Sequence, residues 1–159
     1  MRSFPLLLLS TLLVVSCQAS STISSSTVPP PPTADTVVPT AELRNTRWVL
    51  RQLNGQAVPA PTNAEPYVLL RSTELSAEGN GSCNRFHGPF ALRAEGLLRF
   101  GELASTRMGC ASPTDNDTEK GFMRALAATR TYRISGDTLR LFGEAAAPPV
   151  AVLHAVYLR

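Results

Sequence analysis

The residues best equipped for chemistry fall in two short stretches, Cys83-Asn84-Arg85-Phe86-His87-Gly88 and Ser105-Thr106-Arg107-Met108-Gly109-Cys110. A histidine beside an arginine and a cysteine can support proton transfer or nucleophilic attack. No partner carboxylate for His87 can be assigned from the sequence. The competing reading is structural: Asn84 hydrogen-bonds a tight turn, Phe86 packs and Gly88 relaxes the backbone. In the second stretch, Arg107 offers a cation for a buried carboxylate or an anion, or the whole segment simply carries Cys110 towards Cys83. Those two cysteines are an even pair. In an oxidising compartment they point to a disulfide; elsewhere they are two buried thiols. The chain has two histidines. Neither His87 nor His154, which lies in an apolar run and reads as a partly buried strand residue, is at metal-ligand spacing from the cysteines, so no metal and no cofactor is expected. Catalytic motifs such as Gly-x-Ser-x-Gly, a phosphate loop, a dinucleotide fingerprint or His-Glu-x-x-His are missing from the sequence. The structural reading is preferred, and no catalytic residue is expected.

Charge narrows the classes further. The formal net charge is +3 over 159 residues. No basic run with interleaved aromatics is present, so nucleic acid is not an expected partner.

The third cysteine, Cys17, ends the segment MRSFPLLLLSTLLVVSC. Arg2 precedes an apolar run that falls short of the roughly 20 residues needed to span a bilayer, which points to a signal peptide over residues 1–16. Val14-Val15-Ser16-Cys17 resembles the lipobox of bacterial lipoproteins, which implies cleavage before Cys17 and acylation of that residue. Multiple acyl chains hold a soluble domain stably where one would not. Gln18, rather than Asp, follows the cysteine, which favours the outer membrane, facing the periplasm, with the inner membrane as the alternative. Residues 17–41 continue as a lipidated cysteine plus a tether rich in Ser, Thr and Pro, with Pro29–Pro32 favouring extended polyproline.

About 118 residues remain, 42–159, enough for one core. Strand signals cover Arg47–Leu53, ending at Asn54-Gly55, then Tyr67–Arg71, Leu75–Glu78 before a Gly79-Asn80-Gly81 turn, Pro89–Arg93 and Leu97–Phe100. Helical spacing of Phe122, Ala125, Leu126 and Thr129, behind N-cap candidates at Thr114–Asp117, predicts a helix over 116–128. A hairpin of Thr131–Ser135 and Thr138–Phe142 follows, then a strand over Val150–Leu158. The expected class is α+β, mostly antiparallel β: a cracked-barrel-like bent sheet with one inserted helix.

Taken in order, Trp48-x-Leu50, Gly81-Ser82-Cys83-Asn84-Arg85-Phe86-x-Gly88, Ser105-Thr106-Arg107-Met108-Gly109-Cys110, Glu119-x-x-Phe122 and Tyr132-x-Ile134-x-Gly136 resemble the META (HslJ-like) domain family. Ser82 departs from the pattern, which commonly has Gly there, and Gly permits backbone conformations that Ser resists. The resemblance implies an envelope module linked to heat or envelope stress and antibiotic tolerance, with no agreed catalytic residues. It leads to the expectation of a monomeric, non-enzymatic binding domain whose partners are the membrane, through the lipid anchor, and an unknown protein or small apolar ligand. A hydrolase inhibitor or a pilotin-like secretion lipoprotein is the alternative.

Overall fold

The computed structural model describes residues 40–157, apart from 95, 145 and 146. Cys17, the signal segment and residues 17–39 of the tether lie outside the described residues. The described residues fall in one compact unit, and among them the buried apolar cluster runs from Ala41 to Leu153.

Among the described residues there are ten strands and one helix: β1 (Arg47–Leu53), β2 (Gln56–Ala57), β3 (Tyr67–Leu70), β4 (Ser76–Asn80), β5 (Arg85–Arg93), β6 (Leu97–Phe100), β7 (Ala104–Ser105), α1 (Pro113–Ala128), β8 (Thr131–Ser135), β9 (Thr138–Phe142) and β10 (Ala151–Val156). The ladder runs β10-β9-β8-β6-β5-β4-β3-β1, and β1 also pairs β10. That last pairing corrects the expectation of a cracked, bent sheet, because it closes eight antiparallel strands into a barrel. It extends from Arg47↔Val156 to Leu53↔Ala151, with a bulge between Leu50 and Gln52. Closure removes the edges that the first and last strands would otherwise expose. The thinnest seam is β6–β8, where Leu97 faces Thr131 and the bonds Leu98 N→Arg130 O (3.1 Å) and Tyr132 N→Gly96 O (2.9 Å) complete the contact.

Period-two alternation decides what fills the barrel. Trp48 and Leu50, Val68 and Leu70, Phe86 and Phe90, Leu98 and Phe100, Leu139 and Leu141, and Ala151 and Leu153 all point inward and are buried. An eight-stranded barrel is about wide enough for side chains to fill. Trp48 is fully buried, and its indole N–H donates to Leu43 O (2.9 Å), as a buried Trp requires. Helix α1 touches β1, β6 and β9. Because β1 and β6 lie on opposite sides of the ring, the helix stoppers one end and drives Phe122, Ala125 and Leu126 into the core. Ala41 and Leu43 join the same core, and Ala41 N donates to Gly136 O in the β8–β9 turn (3.0 Å).

Local chemistry explains most boundaries. Asn54 and Gly55 have φ of 49° and 79°, both positive as the β1–β2 turn demands. The helix starts three residues earlier than the spacing predicts, because Pro113 is suited to the first helical position. It ends as Thr129 turns extended, with the Thr129 hydroxyl on Ala125 O (2.8 Å) and Arg130 Nη1 on Ala127 O (3.0 Å). Gly79 and Asn80 belong to β4 rather than to a turn. His154 is exposed on β10 rather than partly buried, since Leu153 takes the inward position.

Candidate functional site

Cys83 and Asn84 lie in the tight connection between β4 and β5, closed by Gly81 N–H on Asn84 O (2.8 Å), but the Asn84 side chain bonds α1 and residues 106–108 rather than the turn itself. Arg85, Phe86 and His87 lie in β5, and Asn84 just precedes it. Asn84 is 4% exposed. Its side-chain N–H groups donate to Glu119 Oε1 (2.7 Å) and Met108 O (3.1 Å). Its carbonyl oxygen accepts from the Thr106 hydroxyl (2.9 Å) and Met108 N–H (2.7 Å). An Asn side chain has two donors and two acceptor positions, so every one is used. Glu119, from the second turn of α1, also accepts Cys83 N–H (3.0 Å) and Asn84 N–H (2.7 Å) on Oε2. Cys83 and Cys110 form a disulfide. The helix, the β4–β5 loop and residues 106–110 are thus locked together at one point.

Sequence reasoning named Glu119 only within the family pattern and gave it no role; the structure makes it the carboxylate that gathers the motif. Its signal is present, for Glu119, Phe122 and Leu126 share one helical face, which turns the carboxylate towards the barrel. Gly81 is small for the same reason: a Cβ there would meet Glu119 Cγ at 2.6 Å. Gly88 serves close approach rather than backbone relaxation, since a Cβ would meet Glu102 O at 2.5 Å.

The network presents a surface. Arg85 and His87 point outward from β5 and are exposed, whereas Phe86 turns inward and stacks edge-on against Phe122 with centroids 6.1 Å apart. Beside Arg85 and His87 lies an open groove of about 590 Å³, lined by Tyr67, Glu78, Gly79, Arg85, Phe86, His87, Ala104, Ser105 and Thr106. β7 forms one wall, with Phe86↔Ser105 and His87↔Ala104 in register. The Arg47 guanidinium sits 4.0 Å from the Tyr67 ring centroid at the edge of the groove. Arg107 is exposed and outside the groove lining; among the described residues it joins no ion pair, so the buried carboxylate considered for it is not its partner. Asn84, Arg85, Phe86 and Arg107 therefore separate into a buried hub, a groove residue, a core residue and a loop residue.

The same order of segments decides the family. The META domain profile matches residues 41–155. The chain belongs to the META domain family. An NMR structure of a protein from Burkholderia xenovorans is similar, at 26% identity and a TM-score of 0.57, covering 81% of this chain and 99% of that one. A second NMR structure of a protein is 28% identical with a TM-score of 0.54, covering 70% and 90% respectively. No curated protein matches the chain.

Within this META domain, Ser82 occupies a backbone conformation that favours glycine, with φ of 148°. Its hydroxyl donates to Asp115 Oδ1 (3.2 Å). Ser82→Ala keeps the strained backbone and loses that bond, whereas Ser82→Gly loses the bond but relieves the strain. Ser82→Gly is expected to be the more stable of the two by about 1 kcal/mol in urea unfolding. An alanine variant as stable as the glycine one would remove the strain argument.

Asp115, buried at the start of α1, ties the helix to the β2–β3 loop. The Thr62 hydroxyl donates to Oδ2 and Thr62 N–H to Oδ1 (3.3 Å). The Thr62 hydroxyl is the main reason the carboxyl is held below its ordinary 3.8; burial opposes this, and the Thr62 N–H and Ser82 hydroxyl add to the lowering. A carboxyl lowered on folding stabilises the fold above its unfolded value and loses that contribution as pH falls through the folded value. Melting curves below about pH 4 should therefore fall more steeply for the native chain than for Asp115→Asn. Parallel acid profiles would refute the assignment.

Proposed function

We propose that this META domain is a non-catalytic binding module of a bacterial cell envelope. In this reading the chain is a lipoprotein acylated on Cys17 and held at the outer membrane facing the periplasm. The domain contributes to heat or envelope stress and antibiotic tolerance by binding a partner. The observation that carries the reading is the saturation of Asn84. Asn84, Glu119 and the Thr106 hydroxyl are bonded to one another and to backbone, so they act as scaffold for Arg85, His87 and Ser105 at the outer groove. The inward-pointing side chains of the described strands are large and buried, and the groove is open to solvent, which favours the groove over an internal ligand.

Two measurements test the proposal. Mass spectrometry of the membrane-bound protein should show a chain beginning at an acylated Cys17, and Cys17→Ala should release it from membranes. Arg85→Ala with His87→Ala should keep the melting temperature and abolish rescue of a deletion strain under heat or antibiotic challenge. Hydrolytic turnover that depends on His87 or Arg107 would overturn the non-catalytic reading.

A further inference from the structure

We propose that the outer wall formed by β5, β6, β8 and β9 is a docking surface for an anionic phospholipid bilayer. It takes the Ala91–Arg93 end of β5, whereas the groove takes the Arg85–His87 end, and it does not depend on acylation at Cys17.

Charge is distributed unevenly around the barrel. The ion pairs among the described residues, Arg47–Glu65, Arg51–Glu65 and Arg71–Glu78, lie on or beside β1, β3 and β4. β5, β6, β8, β9 and β10 contain no Asp or Glu. Since Leu98, Leu139 and Leu141 point inward, Arg99 and Arg140 point outward. Arg133 stands directly opposite Arg140 in the ladder. Like charges directly opposite each other destabilise a sheet, so this pair costs the fold stability unless an anion lies over it.

On the same run of strands, Arg93, Arg99 and Arg130 line a shallow cavity of about 470 Å³ together with Ala91 and Leu97. Guanidinium groups bind phosphate oxygens through paired N–H donors. Leu97, 41% exposed, stands among these cations, and the Arg133 guanidinium lies 5.5 Å from the Phe142 ring centroid. Cations spread over four adjacent strands, with apolar side chains between them, match a surface that carries phosphates over hydrocarbon. A deep cleft for a single acidic peptide would concentrate the cations instead. Among the described residues no helix is long and apolar enough to cross a membrane, so contact through this wall is peripheral.

The test uses residues 18–159, which lack Cys17 and the apolar leader but carry the whole core. Co-sedimentation is measured with vesicles of phosphatidylcholine alone and with about one-third phosphatidylglycerol. Binding should require the anionic lipid and weaken as salt rises. Replacing Arg93, Arg99 and Arg133 together with Gln should lower affinity by about 100-fold, and Arg140→Gln alone by about fivefold. Arg140→Gln should leave the melting temperature unchanged or higher, because it removes the like-charge pair, and it keeps the test decisive if the triple variant fails to fold. Arg51→Gln on the opposite wall should bind as the native chain does. Equal binding to neutral vesicles, binding to polyglutamate in place of vesicles, or undiminished binding by folded Arg-to-Gln variants would overturn the proposal.

Discussion

Asn84→Asp is expected to cost the domain about 3–5 kcal/mol, a large share of a typical domain's stability. The substitution changes almost no volume, so the effect isolates charge and donor geometry. An aspartate would place a second carboxylate where Asn84 now donates to Glu119 Oε1 at 2.7 Å, and it would strip Met108 O of its side-chain donor. Glu119→Gln alone should also destabilise, because its amide would set donor against donor. Combined, the two changes restore one donor–acceptor pair. The double variant should therefore be less destabilised than the sum of the single ones by about 2 kcal/mol. Urea unfolding of the four proteins measures this coupling. Strict additivity would show that Asn84 and Glu119 do not act as a unit.

Breaking the Cys83–Cys110 disulfide should have the second-largest effect. The cysteines are 27 residues apart, and closing a loop of that size restricts the unfolded chain enough to stabilise the fold by about 3–4 kcal/mol. For a domain of this size, the melting temperature should fall by roughly 10–15 °C. Reduced native protein and the Cys83→Ala/Cys110→Ala variant should melt together, well below the oxidised chain. The same bond holds residues 106–108 against Asn84, since the Thr106 hydroxyl and Met108 N–H both reach its carbonyl oxygen. Disulfide loss and Asn84→Asp should therefore be less than additive. Coincident melting of oxidised and reduced protein would refute the role assigned to the bond.

Much of the barrel was legible because its strands carry local signals. Arg47–Leu53, Leu97–Phe100, Thr131–Ser135 and Thr138–Phe142 occupy the spans that alternation and turn residues indicate. β5 was harder to read. It begins at Arg85, not at Pro89, and proline is a poor signal for a strand interior. In the barrel, β5 pairs β7 through Phe86 and His87 and then β6 from Phe90 onward. Pro89 sits at that changeover, where one missing N–H interrupts neither ladder.

The motif residues divide in the same way. Cys83 and Cys110 were recognisable as a pair because two cysteines left over in one small domain have few alternatives. That Asn84 is buried and Arg85 exposed could not be read from neighbouring positions of one stretch without knowing that a strand starts between them. The role of Glu119 stayed hidden because its partners, Cys83 and Asn84, are 36 and 35 residues away. The sequence by itself indicated most of the strands, the helix, an even pair of cysteines and the family resemblance, since each rests on residue type and short spacing. Only the tertiary structure decided that β1 meets β10, that Glu119 gathers the motif, and that arginines from β5, β6, β8 and β9 share one wall. Those outcomes depend on which distant segments become neighbours when the sheet twists and closes, and no local periodicity encodes that choice.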